Sequence, residues 1–337
     1  MAGKRKERFS YSKLETYKGC PFKYFLKYEQ KHFITSSLLP AEFGSLCHYI
    51  YETIGNCIKD GDPIPYDKLI DDFWDIDLHT KTEDGKKGED VLGANLLAKK
   101  YPKEWNTRSK AGKTYADKAF DFAMDGIYRL EQYMEEHPDY EIVGCEVPFS
   151  FTFADKYEFT GFIDRLLRVK GTDHYIVHDI KTKDKKFDEK RDIPTPLQFV
   201  VYVDALQAKY GEIATFECAY DLPFADGGCY QSAGNKGFMQ RGNKKIMELL
   251  SDIDDRIYEP SPSILCAWCE FSNNNPNQQP EGHNLCPYYN LSTQEKYEYR
   301  STKLPWLGMD KHFIQVKKLE QLEALETANE DDEVFEI

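Results

Sequence analysis

The sequence predicts an α/β core wrapped in helices. Residues 140–183 hold three successive runs of period-two character, "YEIVGCEVPFSFTF", "YEFTGFIDRLLRV" and "HYIVHDIKTK", which read as consecutive strands. A helical stretch, "TPLQFVVYVDALQAKYG", then leads into a fourth strand-like run, "IATFECAYDL". Helical patterns fill most of the chain before the strands. Helices, a strand meander and a helix crossing to a further strand make a layered α/β domain.

The elements follow in order. Ser12 with Glu15 has the form of a capping box, so a short helix is expected to about Lys18, broken at Gly19. Pro21 suits the first turn of a second, aromatic helix, "PFKYFLKY". "PAEFGSLCHYIYETIGNCIKD" predicts a helix from near Pro40 to before Gly61. Residues 61–115 read as polar and irregular, with helices around 66–74 and 90–100, and "KKYPKEWNTRSKAGK" as a basic loop. "TYADKAFDFAMDGIYRLEQYMEEH" predicts one long amphipathic helix ending at Pro138. After the fourth strand, "GGCYQSAGNKGFMQRGNKK" reads as a Gly-rich basic loop and "IMELLSDIDDRI" as a helix. A cysteine-bearing loop, a short Leu-patterned helix near 316–326 and an acidic tail close the chain. The expected division is a helical segment 1–60, a helical insertion 61–138, a core 139–258, a cysteine segment 259–318 and a tail 319–337.

The chain has 337 residues and no apolar run long enough for a membrane span. Its basic N-terminus lacks a following apolar stretch, so no secretory signal is expected, and a cytoplasmic protein is. The net charge is −14, but it is unevenly spread. Residues 1–31 carry nine Lys/Arg and three Glu, a local +6; residues 319–337 carry eight acids and no base, a local −8. A basic surface on the body therefore remains compatible with nucleic acid.

Four elements carry candidate chemistry. His48 sits on a helix one turn before Glu52. Asp164 lies in "GFIDR" at the end of the second strand. Asp179 and Lys181 are two apart on the third strand and share a face, and Gln198 and Tyr202 are four apart on the following helix and share another. Carboxylates and an imidazole can hold a divalent cation, which polarises a phosphoryl oxygen and acidifies water. Oxygen ligands with a histidine suit Mg²⁺ or Mn²⁺. A nearby lysine can steady developing negative charge. Taken singly, each feature also has a plainer reading as an ion pair, a core histidine or sheet packing. The joint order makes the set distinctive.

That set resembles the PD-(D/E)XK nuclease superfamily, and within it the RecB-like branch, over about Ser10 to Tyr289. "FGSLCHYIYE" is similar to the branch's histidine motif, "GFIDRL" to G-x-[IV]-D-R, "VHDIKTK" to D-x-K-[TS] and "LQFVVYVDAL" to Q-x-x-x-Y. The resemblance implies a restriction-endonuclease-like mixed sheet flanked by helices. It implies that His48, Asp164, Asp179 and the Ile180 carbonyl bind metal, that Lys181 is the catalytic lysine, and that Gln198 and Tyr202 complete the site. Glu146, in "GCEVPF", matches a glutamate often seen one strand earlier. The implied activity is a metal-dependent DNA nuclease, an exonuclease acting on ends or single strands in recombination, repair or replication; a phage or CRISPR-linked setting is compatible. The alternatives are an endonuclease or flap nuclease of the same fold, and a non-catalytic DNA-end-binding subunit with a structural metal cluster.

Nine cysteines in a cytosolic chain are not expected to form a disulfide set. Cys266 and Cys269 form C-x-x-C, Cys286-Pro287 follows, and Cys20-Pro21 lies far upstream. Four thiolates can hold Zn²⁺ or a 4Fe–4S cluster, and spacing does not separate the two. Iron–sulfur members of the resembled branch place one cysteine in the opening helix, in a C-P-x-x-[YF] setting, and three after the core. This implies Cys20, Cys266, Cys269 and Cys286 as a metal staple joining the N- and C-terminal segments. The long insert before Cys286 also brings His283 in as a rival ligand, which would favour Zn²⁺. The remaining cysteines read as inert.

Candidate DNA contacts are the basic N-terminus, Lys99 to Lys113, Lys183 to Arg191, and the loop bearing Lys236, Arg241, Lys244 and Lys245. Trp105 and Phe238, within two of these, are candidates to stack on exposed bases. No base-reading motif is visible, so sequence-independent backbone binding is expected. The acidic tail, ending "DDEVFEI", is a candidate solubiliser or a partner-recruiting tip.

Overall fold

A computed structural model describes residues 8–32, 39–81, 87–109, 112–183, 196–211, 215–224, 229–233, 236–261, 266, 269–271 and 285–286. The predicted helix near 316–326, the acidic tail and His283 lie outside them. The chain forms two compact units, Met1–Tyr11 with Leu38–Glu248, and Ser12–Ser37 with Leu249–Ile337.

In chain order the elements are β1 (Arg8–Phe9), α1 (Tyr11–Gly19), α2 (Pro21–Tyr24), continued by a π-helical turn to Glu29, α3 (Leu39–Asp60) and α4 (Tyr66–Asp75). An antiparallel pair of β2 (Asp77–Lys81) and β3 (Lys87–Leu92) precedes α5 (Ala94–Lys100), α6 (Pro102–Trp105), α7 (Tyr115–Met124) and α8 (Arg129–Glu136). The core follows as β4 (Tyr140–Phe153), β5 (Tyr157–Val169), β6 (His174–Ile180), α9 (Leu197–Tyr210), β7 (Thr215–Asp221), β8 (Cys229–Ala233) and α10 (Lys236–Asp254).

The sheet is six-stranded and mixed, as the α/β expectation requires. β4, β5 and β6 form an antiparallel meander, α9 crosses over so that β7 runs parallel to β6, and β8 pairs antiparallel to β7. β4 pairs along nearly all of one edge of β5. The other edge is shared: β1 pairs with Glu158 and Phe159, and β6 pairs with Arg165 to Arg168. Residues 160–164 lie between these two ladders, and among the described residues no strand pairs with this edge of β5 there.

α3 fits its sequence reading. Leu39, Phe43, Leu46, Cys47, Ile50, Tyr51 and Ile54 recur at helical spacing and are all buried. They pack with Ile142, Leu167, Ile176 and Ile180 of the sheet and with the helices of residues 66–130. Burying each such side chain contributes about 1.5–3 kcal/mol.

Several expectations are corrected. Tyr11 opens α1, so Ser12 lies inside its first turn rather than capping it. Asp77–Lys81 and Lys87–Leu92 pair as antiparallel strands, so the helix expected from residue 90 begins only at Ala94. The long helix is two. α7 starts on a true capping box, Thr114 with Asp117, and the chain breaks at Gly126, where an added Cβ would lie 2.9 Å from the Phe122 ring. The Tyr51 hydroxyl donates to the Gly126 carbonyl at 2.7 Å, satisfying an oxygen that the break releases. The Gly-rich basic stretch is not a loop. It forms β8 and the first half of α10, so Arg241, Lys244 and Lys245 are exposed helical residues. Trp105 and Phe238 are buried and unavailable for base stacking. Among the described residues no helix is long and apolar enough to cross a membrane.

Candidate active site

The site forms where β6 peels away from β5. Extending the ladder one step past Arg165–His178 would put Asp164 opposite Asp179. The Asp164 carboxylate instead accepts the Ile180 amide at 2.6 Å. A side chain thus satisfies a backbone donor where the regular ladder stops, and it fixes the splay. Asp164 is in mid-strand, not at the strand end that the sequence suggested, since β5 runs on to Val169.

Asp179 is fully buried. Its Oδ1 accepts from Gln198 Nε2 at 2.6 Å and from the Tyr202 hydroxyl at 3.2 Å. Gln198 Nε2 also reaches the Tyr202 oxygen at 2.8 Å, so one turn of α9 grips one carboxylate oxygen from two positions. The Lys181 ammonium stands 2.6 Å from Asp179 Oδ2, with Lys181 one residue past the end of β6 rather than on the strand. That pair is an ion pair without hydrogen-bond alignment, so the buried Oδ2 makes no directed hydrogen bond. The Lys181 amide donates to the Asp221 carbonyl at 2.8 Å, continuing the β6–β7 ladder past Ile180.

α3 supplies the third side. His48 Nδ1 lies 3.2 Å from Glu146 Oε1, and Nε2 lies 3.2 Å from the Ile180 carbonyl and 4.0 Å from Asp164 Oδ2. Both ring nitrogens face acceptors, an arrangement that suits the doubly protonated ring. Burial pulls the His48 pKa down, but the Glu146 hydrogen bond and the charges of Asp164, Glu146 and Asp179 outweigh it and raise it to about 8. Asp164 is pushed up to about 7, first by burial and then by the charge of Asp179, against the pull of His48. Burial, with Asp179 and Asp164 behind it, holds the Tyr202 phenol well above its usual range.

Glu146 has φ +45, in the left-handed region that a non-glycine residue rarely adopts. Such strain persists where the surrounding structure demands it, and here it accompanies a carboxylate held against His48. No sequence signal marks this backbone. His48, Glu146 and Asp164 have ligand atoms within 4.8 Å of one another, a set able to coordinate a divalent ion.

These residues fit a hard divalent cation. The donors are carboxylate oxygens, an imidazole and a carbonyl. Asp179 keeps an oxygen without a directed bond, and burial, with the charge of Asp179 behind it, has pushed Asp164 to a pKa that a bound cation would lower.

The candidate DNA contacts are only partly described. Lys183, Arg241, Lys244 and Lys245 are exposed, the last paired with Glu248 at 3.1 Å. Nothing is described for the Lys236 side chain. α10 sits against α9 at Gly242, where a Cβ would come 2.2 Å from Val200, so glycine permits the close approach that carries the basic turn.

The cysteines occupy the second unit. Cys20 caps α2, and its Sγ accepts the Ser261 amide at 3.4 Å. Burial raises the Cys20 thiol pKa, and nearby Cys266 adds to the rise. Cys269 is pushed up to about 12, chiefly by burial, with Cys20 among the smaller contributors. Lys23 pairs with Glu270 beside them at 2.7 Å. Three of the four cysteines therefore share one neighbourhood. The gathered four-sulfur staple is not seen, however: among the described residues no three cysteine sulfurs lie within 4.8 Å of one another. Cys47, Cys145 and Cys218 carry thiols raised by burial, as expected of inert positions.

The chain belongs to the PD-(D/E)XK nuclease superfamily, whose family model matches residues 8–273. Among solved structures it is similar to a candidate exonuclease from Eubacterium rectale, at 14% identity and a TM-score of 0.45 over 78% of this chain and 87% of that one. It is also similar to the protein VC1899 from Vibrio cholerae, at 13% identity and a TM-score of 0.19 over 74% of this chain and 58% of that one. Membership rests on the family model, since these structural likenesses are distant.

Proposed function

We propose that this chain is a divalent-metal-dependent deoxyribonuclease of the RecB-like branch, acting as an exonuclease on DNA ends or single strands. The observation that carries the reading is Asp179, fully buried yet held between Lys181 on one oxygen and Gln198 with Tyr202 on the other, with Asp164 on the neighbouring strand. An ion-pair network serving only stability has no need of a carboxylate excess in one gap of a sheet.

In this reading His48, Asp164, Asp179 and the Ile180 carbonyl hold Mg²⁺ or Mn²⁺, with Glu146 as a further ligand or as the group orienting His48. The cation, when bound, supplies charge to polarise the phosphoryl oxygen and acidify water. Lys181 places an ammonium where negative charge develops on phosphate. Gln198 and Tyr202 hold Asp179 so that one oxygen is always turned to the site. Lys183, Lys236, Arg241, Lys244 and Lys245 neutralise backbone phosphates without reading sequence. The deciding experiment incubates end-labelled linear and circular DNA, single- and double-stranded, with Mg²⁺ or Mn²⁺. Metal-dependent release of short products from linear DNA alone is expected. Cleavage of circles would favour an endonuclease, and binding without cleavage would favour a non-catalytic end-binding subunit.

The cysteine centre stands as a proposal beside this one. It is supported by the shared neighbourhood of Cys20, Cys266 and Cys269, with Cys286 or His283 as the fourth ligand and 4Fe–4S or Zn²⁺ as the metal. Iron, sulfide and zinc content of oxygen-free protein tests it, and a chain with neither metal ends it. A protein partner recruited through the acidic tail is likewise a proposal, tested by deleting residues 327–337.

A further inference from the structure

Lys181 lies one residue past β6 and is not seated on β5. The β5–β6 ladder ends at Arg165–His178, and the Ile180 amide is taken by the Asp164 side chain. The Lys181 backbone is seated instead on β7, where its amide donates to the Asp221 carbonyl at 2.8 Å. Asp164 and Lys181 therefore depend on strands that are not neighbours, since β6 lies between β5 and β7. One side chain spans the gap. Arg165, next in the chain to Asp164, meets His178 Nδ1 at 2.9 Å and donates to the Asp221 carboxylate at 2.5 Å. Asp221 is also the last residue of β7. The carbonyls just after it, of Leu222 and Pro223, accept from Arg129 of α8 at 3.5 and 3.0 Å. Alternation keeps this clamp away from the chemistry: Tyr220 meets Phe199 of α9 with ring centroids 4.6 Å apart, so Asp221 points to the opposite face of the sheet.

We propose that Asp221 is a positioning residue for Lys181. Its carboxylate, gripped by Arg165, fixes the carbonyl on which the lysine backbone sits. That in turn fixes the distance from the Lys181 ammonium to a phosphate held at Asp164 and Asp179. The inference rests on the nuclease reading of that site and deepens it by naming what aligns its lysine. An ion pair that only stabilised the sheet could join any two positions. This one joins the residue after a candidate metal ligand to the residue that seats the lysine. Ile180–Asp221 is the last pair of the β6–β7 ladder, so no later pair would correct a shift there. A misplacement of about 1 Å costs about 10²-fold in rate.

The test measures kcat and KM on folded protein, well below the unfolding midpoint of each variant. Asp221→Ala should lower kcat about 10²-fold and change KM for DNA and the half-saturating Mg²⁺ concentration far less. Asp221→Asn keeps an acceptor for Arg165 and should lose less rate, but still measurably. In a Lys181→Ala chain the same substitutions should cost little further rate, because the residue they position is gone, while lowering unfolding stability as much as before. Bis(p-nitrophenyl) phosphate, whose leaving group departs readily, keeps these slow chains measurable. Where Asp221→Ala does not fold, Asp221→Asn carries the same comparison. Wild-type kcat in the Asp221 variants, or an equal fractional loss with and without Lys181, makes Asp221 a brace alone and overturns the proposal, while wild-type cleavage leaves the nuclease reading standing. A wild-type chain that cleaves no DNA with Mg²⁺ or Mn²⁺ overturns both.

Discussion

Asp164 and Arg165 are neighbours on β5, and His178 and Asp179 are neighbours on β6. Alternation sends Asp164 and Asp179 to one side of the strand pair, and Arg165 and His178 to the other. On the rear side Arg165 Nη2 donates to Asp221 at 2.5 Å and meets His178 Nδ1 at 2.9 Å. Burial opposes charge on Arg165, but Asp221 holds the guanidinium protonated, and Arg165 in turn keeps Asp221 below the usual carboxylate range. His178 is driven to about 3 by burial and by Arg165, so it is neutral. One cation, one anion and a neutral ring close this network electrically. The front side places three carboxylates, Asp164, Asp179 and Glu146, against two cations, Lys181 and His48. Identical strands thus carry a balanced cluster that braces the sheet and an anionic one that waits for positive charge.

The largest expected effect breaks the rear. Arg165→Ala removes a buried guanidinium and leaves the half-buried Asp221 without its partner, which costs about 3 kcal/mol. Denaturant unfolding measures it, and a loss under about 1 kcal/mol would mean that the pair is not a brace. Breaking the front should instead spare the fold. Asp179→Asn removes one negative charge from a crowded gap while keeping the shape. The rate of cleavage should fall about 10²-fold or more, with unfolding stability equal to wild type or higher. A variant that loses stability and rate together would show that the front braces the sheet too.

The two sides should also titrate with opposite slopes. His178 has a folded pKa near 3, below the usual value of about 6.5. As pH falls from 6.5 toward 3 the unfolded chain binds the extra proton, so this side loses stability by up to about 1.4 kcal/mol per pH unit. Asp164 runs the other way. Its folded pKa is about 7, above the usual value of about 3.9, so the folded chain takes up the proton first and gains stability as pH falls across that window. His178→Gln keeps an acceptor for Arg165 and removes the first slope, so unfolding free energy should rise between pH 7 and 4. Asp164→Asn should leave only the fall. Parallel profiles for the two variants would sink the comparison.

Much of this was legible because it is local. The strands 140–153 and 157–169 and the helix ending at Gly211 follow from periodicity and a glycine stop. Asp179, Lys181, Gln198 and Tyr202 follow from spacings of two and four. The pairing of β2 with β3 escaped because its strands are polar, although the intervening Asp84-Gly85 is a turn signal. The Gly126 break escaped because its cause is Phe122 and Tyr51 packing, which spacing does not express. The rear network was invisible for a similar reason: Arg165 and His178 sit next to catalytic candidates and read as their neighbours, while Asp221 joins them only through β7. Trp105 and Phe238 were misjudged because basic residues beside an aromatic suggest exposure, and tertiary packing decided otherwise.

The smallest expected effect lies within the front itself. Asp179 Oδ1 has two donors of unequal quality, Gln198 at 2.6 Å and the Tyr202 hydroxyl at 3.2 Å. Tyr202→Phe removes only the longer one, and its ring can still meet Phe149, whose centroid is 6.0 Å away edge to face. A hydrogen bond of this kind contributes about 1 kcal/mol, so the rate should fall several-fold and no more. Gln198→Ala removes the shorter bond and also frees the Tyr202 hydroxyl from its donor, so it should cost more. If the two act only by holding Asp179, the double variant should lose less than the sum of the single losses, because once the carboxylate turns, the remaining donor no longer grips it. Kinetics of the four proteins at saturating metal decide this. Strict additivity would mean that one of the pair touches the DNA strand directly rather than acting through Asp179.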